Sequence, residues 1–221
     1  LAGVKYLITG TGDAANPPCV GGAFIKSTPE KEIPDIQIHY VSIAMQDVHG
    51  REGVPLEHGF SNLVYLCRPQ SKGHIKLKSS DPNDDPLMYP NYFSVEQDLI
   101  DTRNGLREAR RVFMQPVFDE YRGKELKPGP SIDINNDDEL DNWIRETGET
   151  LYHPVGTCKM GIDELAVTNE HGQVHGLDSL RVVDASLMPS LIAGNTNAPT
   201  IMMAEKISDH INGKPFLSKE N

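Results

Sequence analysis

Aromatic side chains are scarce in this chain, at 6% of its 221 residues, and there are only three cysteines, Cys19, Cys67 and Cys158. They are odd in number, widely spaced and form no C-x-x-C pair, which argues against a disulfide framework. Basic residues are outnumbered, 21 Lys and Arg against 32 Asp and Glu, giving a formal net charge of −11. Phosphate backbones and anionic lipid repel such a surface, so nucleic acid and a basic membrane-docking patch are argued against. Long apolar runs are missing as well. None reaches the ~18 residues of a membrane span, and no charged-then-apolar signal segment opens the chain. What is left is an ordinary globular composition with 38% hydrophobic residues, enough for one large domain or two small ones. A cytoplasmic protein, at most peripheral to a membrane, is the expectation, with any targeting signal lying in a preceding segment.

Two apparent motifs do not hold up on chemical grounds. Gly10-Thr11-Gly12-Asp13-Ala14-Ala15 fits G-x-G-x-x-A after the apolar run Val4 to Ile8. That fingerprint needs a helix to begin at once, with its first amides aimed at a pyrophosphate. Pro17 and Pro18 remove donors and bar its propagation, so the stretch reads as a loop. His171 and His175 stand at i, i+4 with Cys158 available as a third ligand, but Gly172 and Gly176 break up the helix such a site would need. Solvent-exposed loop histidines are the plainer reading.

From Gly21 to Ser79 the pattern is strand-like: Ala23 to Lys26, Ile36 to Ile43 with Ile36, Ile38, Tyr40 and Ser42 on one face, Leu63 to Cys67, and Ile75 to Lys78. Alternation with Gly and Pro punctuation predicts a mainly antiparallel sheet. His49 to Gly59 reads as a loop. Ser94 and Gln97 form a capping box for a helix carrying Leu99, Leu106, Ala109 and Phe113, with Arg103, Arg107, Arg110 and Arg111 as a solvated face and Gln115-Pro116 as its end. Asn136 and Glu139 start a second helix with Leu140, Trp143, Ile144 and Thr147 on its apolar side. Lys127 to Pro130 is the linker candidate. Strands followed by helices predict an α+β fold, a mainly antiparallel sheet with helices on one face. Leu180 to Asp184 reads as a short buried strand. It precedes a helix with Pro199 in its first turn, a buried stripe of Ile201, Ala204, Ile207, Ser208 and Ile211, and a stop at Gly213.

Three stretches in the C-terminal third share an order: Tyr152-His-Pro-Val-Gly-Thr-Cys-Lys-Met-Gly161, Leu180-Arg-Val-Val-Asp-Ala-Ser186 and Asn195-Thr-Asn-Ala-Pro-Thr-Ile-Met-Met-Ala-Glu-Lys206. Together they resemble the C-terminal signature of the glucose-methanol-choline (GMC) family of FAD-dependent oxidoreductases, on its choline dehydrogenase-like alcohol dehydrogenase side. A complete member is more than twice this length. The resemblance therefore implies residues 1–150 as a substrate-binding domain and 151–221 as a catalytic segment returning to an FAD-binding domain begun by an N-terminal half. It also implies His153 and Asn197 as the catalytic pair, and Asp184, Ala185, Asn197, Pro199 and Thr200 as flavin contacts.

The residue chemistry agrees. Alcohol oxidation needs a base for the hydroxyl proton, and an imidazole with an ordinary pKa near 6.5 is largely neutral and basic at pH 7. Asn197 offers donors and an acceptor to orient the substrate oxygen, with helix capping as its plainer role. A helix beginning near Pro199 and Thr200 would favour the reduced, anionic flavin. The plainer readings are a structural His153, a strand-end turn at Asp184, and Cys158 as packing rather than nucleophile. The rival classes are a hydrolase using Ser186, Asp184 and His153, which lacks a G-x-S-x-G elbow, a GMC-type oxidase using oxygen, and a non-catalytic binding module. For a choline-like substrate the cage candidates are Tyr40, Phe60, Tyr65, Glu57 and Asp47. A quinone or a dye could equally serve as electron acceptor.

Overall fold

Apolar residues at every second position of Ile36–Val41 fit one buried sheet face, and in the computed structural model this segment is β2, the middle strand of an antiparallel sheet. Its neighbours are β1 (Cys19–Ile25) and β3 (Ser61–Leu66). The structure describes residues 2–17, 19–44 and 58–215, so most of the loop expected over His49 to Gly59 lies outside the described residues. Ile38 stands opposite Ala23 and Val64, and Ile36 opposite Ile25 and Leu66. Directly opposed residues share a face, so these six make one apolar surface. Helix α2 (Glu96–Phe113) meets it through Ala109 and Gly105. A Cβ on Gly105 would stand 3.0 Å from Ile36 Cδ1 and 3.1 Å from two more carbons of that side chain, so glycine permits the close approach.

The other side of α2 packs on α3 (Asp137–Thr147), with Leu99, Leu140 and Ile144 buried and Leu106, Trp143 and Phe93 around them. Asn136 caps α3 as expected, accepting from the amides of Asp138 and Glu139, and its own amide donates to Glu139. The capping box expected at Ser94 is not formed. Val95 occupies the N-cap without a side-chain bond, and Gln97 donates instead to Asp101 at 2.9 Å. The arginine face is also not simply solvated. Arg103 pairs with Asp141 at 2.7 Å and Asp137 at 3.2 Å, Arg107 with Asp137, and Arg110 with Glu125, so three of the four arginines bind the α3 region and the loop before it. Lys127 to Pro130 links no domains, because it lies within a single compact unit comprising Leu1–Leu66 and Phe93–Glu149. That unit also contains α1 (Ala2–Thr9), formed by the apolar run before Gly10, and only a three-residue 3-10 turn follows it, at Asp13–Ala15.

Cys67–Tyr92 and Thr150–Asn221 make a second unit. It holds the hairpin β4 (His74–Lys76) and β5 (Leu87–Tyr89), the latter not foreseen, and helix α4 (Asn197–Ile211). Leu180 to Asp184 is not a buried strand. Leu180 is exposed, and the segment is extended only around a single bridge of Arg181 with Gln173, flanked by amide bonds from Val174 to Leu180 and from Val182 to Gly172. A strand needs pairing along its length, and here the partner is a tight turn. The stripe on α4 is mostly unburied as well: of its residues Ile207 is buried, while Ile201 and Ile211 are each 54% exposed. The turn at His171 and Gly172 meets α4 at Ile207 and His210.

Candidate active site

His153 enters from a constrained piece of backbone. Tyr152 before it has a left-handed φ of 61°, a conformation costly for a residue with a Cβ, and Pro154 follows. The Tyr152 amide donates to Thr150 Oγ1 at 3.1 Å. Gly156 also has positive φ, and a Cβ there would meet the Met188 carbonyl at 3.3 Å. Amide bonds from Cys158 to the Ser186 carbonyl and from Met160 to the Leu187 carbonyl then strap this segment to residues 184–188. The first two of the three motifs are thereby joined through backbone.

The third motif closes on His153 through side chains. His153 Nδ1 lies 2.8 Å from Thr196 Oγ1, and Asn195 Nδ2 lies 2.9 Å from His153 Nε2. An amide nitrogen can only donate, so this arrangement matches the tautomer that carries the ring proton on Nδ1 and leaves Nε2 to accept. Asn195 and Thr196 were not singled out in the sequence, and their only signal was that they precede Asn197 in the same motif. Asn197 does not cap α4. Thr196 is the N-cap and Asn197 the first helical residue, with an exposed side chain. Pro199 and Thr200 complete the first turn, where the Thr200 amide and hydroxyl both donate to the Thr196 carbonyl, at 3.0 Å and 2.7 Å.

Asp184 serves the turn after the extended segment. Its Oδ1 accepts from the Ser186 amide at 2.8 Å and the Ser186 hydroxyl at 2.5 Å, capping the 3-10 turn Ala185–Leu187. Ser186 is thus turned to Asp184 while the bonds to His153 come from Asn195 and Thr196, so the hydrolase triad is not assembled. Lys159 reaches both oxygens of Asp163 at 2.7 Å, and that hydrogen bond holds the Asp163 carboxyl below its usual range. His171 stacks on His210 with centroids 3.9 Å apart, and His175 Nε2 lies 3.1 Å from the Gly161 carbonyl oxygen, so neither histidine converges with Cys158 on one point.

Among the described residues the cage candidates are split between the two faces of the sheet. Tyr40 and Phe60 pack on Phe113 at 5.6 and 4.9 Å, on the α2 side of the sheet. Tyr65 stands opposite Gln37, on the other face, edge-on to His39 at 5.0 Å, where burial pushes its phenol up to about 12. Glu57 and Asp47 lie outside the described residues.

Two features bear on FAD. At the start of α4 Pro199 has no N–H and the Thr200 amide is taken by Thr196, which leaves the amides of Asn197 and Ala198, with the positive end of the helix dipole, to meet an acceptor-rich, negatively charging ring edge. Gly10 to Ala15, without an α-helix after it, does not form a pyrophosphate cradle.

A family model described as GMC oxidoreductase, covering the C-terminal domain, matches residues 69–204. The oxygen-dependent choline dehydrogenase of Pseudomonas savastanoi pv. phaseolicola is 48% identical over 217 residues, 98% of this chain and 38% of that protein. Its counterpart in Escherichia coli O127:H6 is 45% identical over the same shares. The chain thus spans about 38% of the length of the curated relatives it matches. Among solved structures, a formate oxidase superposes with a TM-score of 0.86 at 21% identity, over 96% of this chain and 41% of that one. The pyridoxine 4-oxidase from Mesorbium loti gives 0.75 at 26% identity, over 88% and 38%.

Proposed function

The chain belongs to the GMC oxidoreductase family, and from that premise we propose that it supplies the substrate-binding layer (residues 1–150) and the catalytic segment (151–221) of an FAD-dependent alcohol dehydrogenase. His153 is the general base, taking the hydroxyl proton of a primary alcohol at Nε2. FAD, held jointly with an N-terminal FAD-binding half of the same enzyme, supplies the hydride acceptor. The observation that carries this reading is the environment of His153, whose Nε2 is presented to a donor 2.9 Å away, where a substrate hydroxyl would stand.

Other residues of the chain take supporting roles. Asn197, at the first position of α4, orients the substrate oxygen through its side-chain amide, while the start of α4 at Pro199 and Thr200 faces the flavin and brings the positive end of the helix dipole to it. Asp184 and Ala185 contact the cofactor beyond the turn they cap. Choline is the favoured alcohol, because relatives at 45 to 48% identity are named as oxygen-dependent choline dehydrogenases. The oxidases among the structural neighbours support a second reading, in which oxygen re-oxidises the flavin after the same proton removal. Among the described residues no helix is long and apolar enough to cross a membrane.

Anaerobic stopped-flow reduction of the flavin in the full-length enzyme tests the base. His153→Ala should slow reduction by at least the ~10²-fold that general-base loss costs, with substrate still bound, and raising the pH should restore part of it as alkoxide forms unaided. His153→Gln keeps a hydrogen bond but cannot take the proton, so it should be slow too. A wild-type rate and pH profile in His153→Ala would move the base elsewhere.

A further inference from the structure

We propose that Thr196 is a positioning residue that sets the tautomer of His153: its hydroxyl holds the ring proton on Nδ1, so that Nε2 keeps the lone pair that receives the substrate proton. The proposal rests on His153 being the base and adds how that base is kept in its reactive form. A neutral imidazole can carry its proton on either nitrogen, and only one form leaves Nε2 basic. Two bonds select that form. Asn195 Nδ2 is a donor and sits 2.9 Å from Nε2, which must therefore accept, and Thr196 Oγ1, 2.8 Å from Nδ1, can accept the remaining proton. On proton transfer the substrate O–H bond breaks, an Nε2–H bond forms, and the resulting imidazolium keeps its Nδ1–H bond to Thr196.

The diversion of this hydroxyl from its usual use points the same way. Threonine at an N-cap normally turns its oxygen to an amide of the first helical turn, a stabilising contact. Thr196 is the N-cap of α4 and makes no such bond. Its backbone is helical (φ −84°, ψ −10°) rather than extended, its carbonyl is engaged by Thr200, and its buried side chain is directed to His153. A local rule broken where the gain is a contact to a reactive side chain is the pattern expected of a functional position. The hydroxyl also stands at the N-cap of a 15-residue helix rather than on a free loop, which fixes its distance to the ring. The left-handed Tyr152 does the same for the histidine from the other side.

The test uses the full-length holoenzyme with ¹⁵N-labelled histidine. Long-range ¹H–¹⁵N spectra should show His153 protonated at Nδ1 in the wild type and shifted toward the Nε2–H form in Thr196→Val, which keeps the shape but removes the hydroxyl. Flavin reduction at saturating alcohol should fall by roughly tenfold in Thr196→Val, with KM little changed, as the reactive form becomes the minor one. Thr196→Ser, which restores the hydroxyl, should recover most of that rate. An Nε2–H tautomer in the wild type, an unshifted tautomer in the valine variant, or, where His153→Ala is slow, a wild-type rate in the valine variant or equal slowing by valine and serine would overturn the proposal. If the valine variant does not fold, the wild-type spectrum and the serine variant still decide. A tautomer shift in Thr196→Val together with a wild-type rate in His153→Ala would leave the control of the tautomer standing and remove only the base.

Discussion

The two compact units hold themselves together in different ways. In the first, burial is regular: Ile36 and Ile38 are sealed between strands and α2, Leu99, Leu140 and Ile144 between α2 and α3, and Arg103 and Arg107 of α2 find partners on α3. In the second, few apolar side chains are buried, chiefly Leu187, Met188 and Ile207, and the backbone is tied by scattered amide bonds and single bridges. Yet the second unit carries His153 and all three motifs. Regular layers suit a wall, because hydrophobic packing tolerates many sequences of similar pattern. Turns held by specific hydrogen bonds suit a site, where each side chain must be aimed.

That contrast can be broken first at Leu140, the fully buried centre of the α2–α3 cluster. Leu140→Ala should cost about 2–5 kcal/mol, the range for emptying a packed leucine site. Hydrogen exchange on the full-length protein should show that loss in the amides of α2 and α3, with residues 150–215 unaffected. An equal loss of protection in both units would mean that they do not differ in what stabilises them.

The next largest effect belongs to the second unit and to rate rather than stability. Asn197→Ala should slow flavin reduction by roughly 30- to 1,000-fold, or about 2 to 4 kcal/mol, as expected for an orienting bond that acts mainly in the transition state. Protection of α4 should not change, since Asn197 is not its cap. Asn195→Ala should slow the reaction much less, because the donor it brings to Nε2 is displaced when the substrate hydroxyl arrives. If Asn195→Ala is the slower of the two, the orienting role belongs to Asn195.

The same contrast accounts for what could be read from residues alone. In the first unit the alternation over Ile36 to Tyr40 and the Asn136–Glu139 cap were legible because local pattern and final packing agree there. The partners of Arg103 and Arg107 were not, since Asp141 and Asp137 lie more than two dozen residues away and meet them only once α3 has docked. β5 was missed because its three residues lie between Pro86 and Pro90 and are all exposed, so no burial pattern marks it. In the second unit the motifs marked the right stretch, but periodicity over-read α4: its apolar residues recur at helical spacing although little of the described unit covers them. Which residue of Asn195-Thr-Asn197 touches His153 depends on where α4 begins. Each helical residue turns the side chain by about 100°, so an N-cap at Thr196 rather than at Asn197 re-aims the side chains at the head of the helix.

The smallest effect is a slope with pH, and it separates a buried electrostatic contact in the first unit from an exposed one in the second. Asp35 is buried, which raises its carboxyl pKa, but this is outweighed by hydrogen bonds from the Ser27 hydroxyl and amide and by Lys31, so the net shift is below the ordinary value of 3.8. A carboxyl lowered in the folded state stabilises fully above its unfolded pKa and loses that contribution as pH falls through the folded one. Lys31 is raised above 10.5, first by its hydrogen bond to Asp101, so its share is complete below that value and fades only as pH climbs past the raised one. Protection of the β1–β2 turn and the start of α2 should therefore be flat through neutrality and fall below about pH 4. Asp35→Asn should remove much of the acid slope and lower the plateau. Asp163 is lowered in the same direction by Lys159, but its carboxylate is exposed where that of Asp35 is buried, so its slope should vanish in high salt while the slope at Asp35 persists. Hydrogen exchange from about pH 3 to 7 in low and high salt reads both slopes, and equal screening of the two would erase the distinction between a packed layer and a site built from turns.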